Sequence, residues 1–108
     1  MNTAAVLKHA IANRLQVTAV YDGYKREFCP HAIGWKRAKH ADDDEYHVLV
    51  YQFGGYTSRG RVSSGGQWKC FAVDKLEDLT SRLGKWHTAP VASRSHCIDL
   101  DRVELEAS

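Results

Sequence analysis

Two arginines on a glycine-rich stretch are candidates for binding a phosphate group. Arg59 and Arg61 lie within residues 54–66, beside several serine and threonine hydroxyls. A guanidinium forms paired hydrogen bonds with a phosphate, and a loop can bring two of them over one anion. The stretch lacks the GxxxxGK[ST] pattern of a P-loop. From sequence alone we favour a solvated hairpin tip, and we keep Arg59 and Arg61 as an alternative anion-contacting loop.

Neighbouring cysteine and histidine residues are the next candidates, because thiolate and imidazole are ligands that zinc prefers. The pairs Cys29-Pro30-His31 and His96-Cys97 lack the spacing of usual zinc sites. If Cys29 were a nucleophile and His31 its base, a third group would have to orient the histidine, and the sequence shows none. We therefore predict no metal, no cofactor and no catalytic residue, and we expect that the protein is not an enzyme.

The charged residues are sorted into blocks along the chain. The formal charge is only +2, yet residues 1–41 carry seven bases against two acids, and residues 46–72 carry three bases and no acid. Such sorting allows a basic face despite the small total. One basic cluster directly precedes the acids of residues 42–45, so we favour a self-neutralising loop there over a nucleic-acid contact. That cluster contains Lys36, Arg37, Lys39 and His40.

Length and composition predict a single domain over residues 1–108, with 44% hydrophobic residues. Three cysteines, an odd number without a CxxC pair, do not resemble a secreted disulfide framework. We therefore expect reduced thiols and a cytoplasmic location. Polar residues such as Lys8 and His9 interrupt the N-terminal apolar positions, which argues against a signal peptide or a membrane span.

The elements that must position these side chains are mostly short strands. Apolar spacing predicts a helix over residues 3–14, capped by Thr3. Asp22-Gly23 predicts a tight turn between two strands, and Pro30 is expected to end the second of them, with a third strand starting after it. Further strands are predicted over residues 46–53 and 67–73, which complete a barrel core of about residues 16–73.

The C-terminal third is predicted to be less regular. Asp74 and the leucines that follow it predict a short helix over residues 74–83, closed by Gly84. In the remaining extension, residues 84–108, the stretch 97–106 predicts a late strand that either joins the barrel or forms an interaction edge. The fold class is therefore mainly β (α+β), a small bent antiparallel barrel with an N-terminal helix.

The order of these segments resembles the WYL domain. The residues that carry the resemblance are Val17-x-Ala19-x-Tyr21, Arg26, Pro30-His31-Ala32-Ile33-Gly34, the strand from Tyr46 to Tyr51, and Lys69-Cys70-Phe71-Ala72-Val73-Asp74-Lys75-Leu76. The resemblance implies an Sm-like five-stranded barrel, usually the sensory half of a bacterial transcription regulator behind a helix-turn-helix module. We expect a stand-alone sensor here, because residues 1–16 leave no room for that module.

By this resemblance, a ligand groove is expected to contain Tyr21, Arg26, His31 and Lys69. Cations beside aromatic rings can bind phosphate by charge and a base by stacking. The simpler alternative is that the cations are ordinary exposed strand residues and that Tyr21 and His31 close the core. Two positions depart from the family, because Lys69 and Lys75 replace arginines, and lysine lacks the bidentate fork. The family's name triplet is here Tyr46-His47-Val48.

The function expected on this basis is a non-enzymatic regulatory module. It would bind a small anionic, nucleotide-like ligand or a nucleic-acid fragment, and signal through a partner protein or as a homodimer. The alternative is an Sm-like protein that binds RNA or single-stranded DNA. Oligonucleotide affinity that falls steeply with salt would distinguish the second function from the first.

Overall fold

The computed structural model describes residues 2–37, 44–90 and 97–108. Within them the chain is mainly β, with one α-helix and seven strands. The elements in chain order are α1 (Thr3–Asn13), β1 (Gln16–Tyr21), β2 (Tyr24–Lys36), β3 (Glu45–Thr57), β4 (Gly60–Arg61), β5 (Gln67–Ala72), β6 (Glu77–Arg82) and β7 (Val103–Glu106). Single turns of 3-10 helix precede β6 and β7, at Val73–Lys75 and Leu100–Arg102.

Helix α1 lies against the sheet through one apolar face. Leu7, Ala10 and Ile11 are buried on that face. The side chain of Asn2, not Thr3, caps the helix, since its oxygen accepts a hydrogen bond from the Ala5 N–H at 2.8 Å. The helix ends as expected from the sequence, where Arg14 turns into the left-handed conformation.

Two long strands organise the sheet. β2 and β3 have 13 residues each, pair with each other along most of their length, and each also pairs with two further strands. β2 pairs with β1 near its start and with β7 near its end, while β3 pairs with β5 and then, past residue 55, with β4. β6 pairs with the far edge of β1, and the whole sheet curls into an antiparallel half-barrel. The mainly-β class is confirmed, whereas an Sm-like five-stranded barrel stays a prediction.

Pro30 does not end its strand, contrary to the sequence expectation. It pairs with Val50 in the middle of β2, and the register shift lies at the next residue, His31. β1 accompanies β2 up to Phe28 and β7 accompanies it from Ala32. Pro30 therefore lies between two partner strands on that edge, where its missing N–H breaks no pairing. Residues 24–36 form one bulged strand instead of two.

The predicted helix over residues 74–83 is also wrong. Only Val73–Lys75 form a helical turn, and Glu77–Arg82 form β6. The leucines at helical spacing do not share a buried face, because Leu76 is buried while Leu83 is 88% exposed. The free edge of β1 offers backbone hydrogen bonds along its whole length, and pairing with it outweighs a weak helical preference.

The C-terminal prediction holds for a shorter stretch than expected. Of residues 97–106, only Val103–Glu106 form a strand, and they pair with Ala32, Ile33 and Gly34 of β2. This strand is therefore part of the sheet. Gly34 makes the close packing here possible, since a Cβ at that position would lie 2.5 Å from the Arg102 carbonyl oxygen and 2.7 Å from the Ile98 side chain.

The two faces of the sheet carry separate apolar clusters. The larger is the main core between the sheet and α1, where Phe28 and Phe71 are the largest fully buried side chains. The smaller lies on the opposite face and contains Ala32, Leu49, Cys97 and Ile98. No helix in the described part of the chain is long and apolar enough to cross a membrane.

Two of the three cysteines form a disulfide bond, against the expectation of reduced thiols. Cys70 of β5 is joined to Cys97, with 5.7 Å between their Cα atoms, and Cys29 is a buried free thiol. Burial raises the pKa of the Cys29 thiol. The sequence could not show this pairing, because the two residues are 27 positions apart and the spacing of three cysteines does not tell which two of them pair.

Candidate functional site

A polar groove of about 550 Å³ lies between the β3–β4 hairpin and β5. Three cations line it, Arg59 and Arg61 from the hairpin and Lys69 from β5. Hydroxyl groups of Thr57, Ser58 and Ser63 also line it, and no aspartate or glutamate is among the lining residues. We call this set of residues the cationic groove.

Local backbone geometry places the two arginines at the hairpin tip. The Arg59 N–H donates to the Thr57 hydroxyl oxygen at 3.0 Å, and Gly60 has a φ of +107°, which a side chain would disfavour. The loop that follows the hairpin is attached to the sheet, because the hydroxyl of Tyr51 in β3 donates a hydrogen bond to the Gly65 carbonyl oxygen. The groove is therefore built on a braced hairpin.

The positive charges of the cationic groove are not neutralised by described neighbours. Across residues 2–37, 44–90 and 97–108, no carboxylate forms an ion pair with Arg59, Arg61 or Lys69. The Arg61 guanidinium instead donates to the Tyr56 hydroxyl at 3.1 Å and lies 5.6 Å from that ring's centre. This hydrogen bond raises the pKa of Arg61. Such a groove can bind an anion through several charge-assisted hydrogen bonds.

Arg26 lies in the interior instead, and is only 5% exposed. Its guanidinium donates to the Gln52 side-chain oxygen and to the Tyr21 carbonyl oxygen, both at 3.2 Å, and lies 5.2 Å from the Phe71 ring centre. Burial lowers the pKa of Arg26. The residue lines a neighbouring cavity of about 440 Å³ with Tyr56. Its two hydrogen bonds both go to described residues of the protein, and its buried Nε has no hydrogen-bond partner among them.

Tyr21 also has structural partners. Its ring lies 4.3 Å from that of Phe71, and its hydroxyl oxygen accepts a hydrogen bond from the Ala72 N–H at 3.0 Å. Tyr21 and Arg26 are thus adjacent to each other, and both lie beside the Phe71 ring. Tyr21 is not among the residues that line the cationic groove.

Removal of the Tyr21 hydroxyl is expected to destabilise the protein without affecting anion binding. Tyr21→Phe leaves the Ala72 N–H without its acceptor, so we expect the free energy of unfolding to fall by about 1 kcal/mol in urea denaturation. Tyr24→Phe is the matched control, because Tyr24 is 37% exposed and its hydroxyl bonds no described residue. An equal loss in both variants would contradict a structural role for the Tyr21 hydroxyl.

His31 lies on the opposite face of the sheet from Lys69. It packs between Trp68 and Trp86, with ring centres 4.8 and 4.6 Å away, and its Nε2 lies 3.1 Å from the His87 carbonyl oxygen. Trp68 and Lys69 are consecutive in β5, so their side chains point to opposite faces. His31 and Lys69 therefore cannot line one groove on a single face.

The structure thus divides the four residues proposed from the family resemblance. Tyr21 and Arg26 lie together in the main core, His31 belongs to the opposite face, and Lys69 joins Arg59 and Arg61. The sequence did not reveal that Gln52 is the buried partner of Arg26. A glutamine within the most apolar segment was the only signal of it.

Some sequence hypotheses concern residues outside those described, namely Lys39, His40, Asp42, Asp43 and His96. Arg37 belongs to the same basic cluster, and its guanidinium Nη2 lies 3.7 Å from the Oδ2 of Asp101.

Within the described residues, no group of three or more histidine, cysteine, aspartate or glutamate side chains could hold a metal ion.

Comparison of the chain with protein-family models, with curated protein sequences and with solved structures returned no match.

Proposed function

We propose that the protein is a non-enzymatic binding module whose cationic groove receives a small ligand with several negative charges, such as a nucleotide or another phosphorylated compound. The observation that carries this proposal is the convergence of Arg59, Arg61 and Lys69 on one groove whose lining contains no acid. Exposed cations are common on proteins, but they are usually interspersed with carboxylates.

The chemistry of the lining favours phosphate over a carboxylate ligand. Two guanidinium groups can each donate a pair of hydrogen bonds to phosphate oxygens, and the Lys69 ammonium adds a point charge. The hydroxyl groups of Ser58 and Ser63 supply further donors around the groove. A ligand with one carboxylate would leave most of these donors unused.

Binding of RNA or single-stranded DNA is the second candidate, and exposed aromatic rings favour it. Tyr24 and Tyr56 are 37% and 43% exposed, and Tyr56 lies directly beside Arg61. A basic groove with adjacent exposed rings is typical of proteins that bind single strands by stacking. This candidate requires a ligand that extends beyond the groove.

The regulatory role stays part of the proposal. The order of residues that resembles a WYL domain supports a sensor that acts through a partner protein or a second copy of itself. A cytoplasmic location also stays a prediction, and the Cys70–Cys97 disulfide weighs against it, because reducing compartments usually keep thiols unpaired.

Titration with a fluorescent nucleoside triphosphate, and with pyrophosphate as its competitor, tests the proposal at low salt. We expect the charge-reversed double variant Arg59→Glu/Arg61→Glu to bind at least about tenfold more weakly, because each charge-assisted hydrogen bond contributes about 1.5–3 kcal/mol. Lys75→Glu is the matched control, since Lys75 is exposed and lies outside the groove. Absence of phosphate-ligand binding by the unaltered protein would overturn the proposal.

A salt series with a short single-stranded oligonucleotide separates the two candidates. Strand binding predicts that the logarithm of affinity falls linearly with that of salt concentration, with a slope of about −0.7 for each phosphate contacted. Three groove cations make a slope near −2 the expected value for a strand bound only here. Tight nucleotide binding together with negligible oligonucleotide binding would favour the small ligand.

A further inference from the structure

We propose that the ligand of the cationic groove is a guanine nucleotide, whose base lies in the neighbouring cavity of about 440 Å³ between the Tyr56 ring and the Asp78 carboxylate. We call this cavity the base cavity. It is lined by parts of β1 and β2, by Gly55 and Tyr56 of β3, and by Asp78 of β6. The inference rests on the proposed function, because it identifies the part of the ligand that extends beyond the phosphate groups.

The base cavity and the cationic groove adjoin each other at one side-chain contact. Arg61 lines the groove and Tyr56 lines the base cavity, and the Arg61 guanidinium donates to the Tyr56 hydroxyl at 3.1 Å. A phosphate group bound to Arg61 is therefore close to the Tyr56 ring. In a nucleotide the ribose separates the phosphate groups from the base by a similarly short distance, so one nucleotide can occupy both cavities.

The Tyr56 ring is available for stacking. It is 43% exposed, and within the described residues no other aromatic ring stacks on it. The Arg61 guanidinium lies at the hydroxyl end of the ring, 5.6 Å from the ring centre, and so leaves most of the ring surface open. A flat heterocyclic base stacks favourably on such a ring.

Asp78 reaches the base cavity because β6 is irregular at this point. The pairing of β6 with β1 is shifted here, so that Asp78 and Leu79 lie opposite the single residue Ala19. Asp78 has a φ of +54°, a left-handed conformation that aspartate and asparagine tolerate better than most residues. Such bulges redirect a side chain and are common beside functional sites.

The Asp78 carboxylate has both oxygens free to accept hydrogen bonds from a ligand. Across residues 2–37, 44–90 and 97–108, no basic side chain forms an ion pair with it. The other acid that lines the base cavity, Glu27, is already paired with Arg82 at 2.8 Å. Asp78 is therefore the acceptor that the base cavity offers.

Lys25 supplies a donor on the same side of the sheet. It pairs with Val20 of β1, and both residues alternate with the buried Ala19 and Arg26, so their side chains point away from the main core. Lys25 also lines the base cavity and forms no ion pair with a described residue. The cavity thus combines an exposed ring, one ammonium group and one free carboxylate.

This combination matches the edge of guanine better than that of adenine. Guanine presents a carbonyl oxygen followed by two adjacent N–H donors. A lysine can donate to the oxygen, and the two oxygens of a carboxylate can accept from both donors. Adenine presents one amino group beside a ring nitrogen that is itself an acceptor, which a carboxylate repels. Asp78 therefore favours guanine.

Competition against the fluorescent nucleoside triphosphate at low salt tests the inference, with GTP, ATP and inorganic tripolyphosphate as competitors. Tripolyphosphate measures the cationic groove alone, because it lacks a base. We expect GTP to bind the unaltered protein at least about tenfold more tightly than either of the other two, from stacking and from the contacts of its N–H edge.

The stacking contact is tested by two substitutions of Tyr56. Tyr56→Ala removes the ring, and we expect the advantage of GTP over tripolyphosphate to fall by about tenfold. Tyr56→Phe keeps the ring and removes the hydroxyl that Arg61 contacts. It should keep most of that advantage. Comparison with tripolyphosphate in each variant separates the loss of stacking from any change in the groove.

Asp78→Asn tests the recognition of the base, and its backbone conformation should persist because asparagine also tolerates a positive φ. An amide offers one acceptor and one donor. It therefore suits xanthine, which has a carbonyl oxygen where guanine has its amino group. We expect the variant to bind GTP about tenfold more weakly and xanthosine triphosphate more tightly than the unaltered protein does. Asp74→Asn is the matched control, since Asp74 is exposed and lies outside the base cavity.

Three outcomes would overturn the inference and leave the proposed function intact. The first is equal affinity for GTP, ATP and tripolyphosphate, which would show that no base is recognised. The second is a preference for GTP that Asp78→Asn does not change. The third is an equal loss of GTP and tripolyphosphate binding in Asp78→Asn, which would show that Asp78 supports the groove and not a base. Absence of binding by all three competitors would instead overturn the proposed function, and this inference with it.

Discussion

Replacement of Phe71 by alanine is expected to lower the free energy of unfolding by about 3–5 kcal/mol. The ring is only 2% exposed and occupies the middle of the main core. Its centre lies 4.3 Å from that of Tyr21 and 5.5 Å from that of Phe28. Its removal leaves a cavity that these neighbours can close only partly, and it takes away the ring that lies 5.2 Å from the Arg26 guanidinium.

Urea denaturation followed by tryptophan fluorescence provides the measurement. Leu83→Ala is the matched control, because Leu83 is 88% exposed and should change the free energy of unfolding by less than about 0.5 kcal/mol. If Phe71→Ala does not fold, Phe71→Leu keeps the test open, with a smaller expected loss. Near-equal stabilities of Phe71→Leu, Leu83→Ala and the unaltered protein would contradict the central position of this ring.

Gly55→Ala is expected to have the second large effect on stability. Gly55 has a φ of +82°, and a Cβ there would lie 2.3 Å from the Lys25 carbonyl oxygen. The left-handed conformation costs an alanine about 1–2 kcal/mol, and the clash between neighbouring strands adds about 1–3 kcal/mol. We therefore expect a total loss of about 2–5 kcal/mol, because β2 and β3 must separate locally to admit the methyl group.

Gly23→Ala is a closely matched control for this substitution. Gly23 has a φ of +79°, nearly the same as Gly55, but a Cβ there meets nothing within 4 Å. The free energy of unfolding of Gly23→Ala should fall only by what the left-handed conformation costs an alanine, about 1–2 kcal/mol. Thermal and urea denaturation of both variants give the difference, which isolates the close approach of the two strands. Equal losses for the two variants would show that no such approach exists.

Local signals were sufficient where the chain interacts mainly with its near neighbours. The spacing of Leu7, Ala10 and Ile11 predicted α1, and Asp22-Gly23 predicted the turn between β1 and β2. Both features depend on hydrogen bonds and packing within a few residues. The central strand β3 was predicted from its apolar run, although it continues through Gly54 and Gly55 to Thr57.

Predictions failed where a distant strand decided the outcome. The leucines after Asp74 fit a helix, but the open edge of β1 pairs with Glu77–Arg82 instead. Pro30 remains within β2 because the edge on that side changes partner there. In each case the sequence shows the local conformational preference of the segment. It does not show which distant strand the segment pairs with, and that pairing contributes more to stability than the local preference does.

The candidate site shows the same division between local and distant information. The amino-acid sequence by itself determined that the chain has a surplus of bases before residue 73 and that Arg59 and Arg61 share a hairpin region. Only the tertiary structure decided that Lys69 joins them, that Arg26 enters the core, and that Cys70 bonds to Cys97. The physical reason is that charge and local turn geometry belong to individual residues, whereas burial and convergence depend on how β2, β3 and β5 curl around one core.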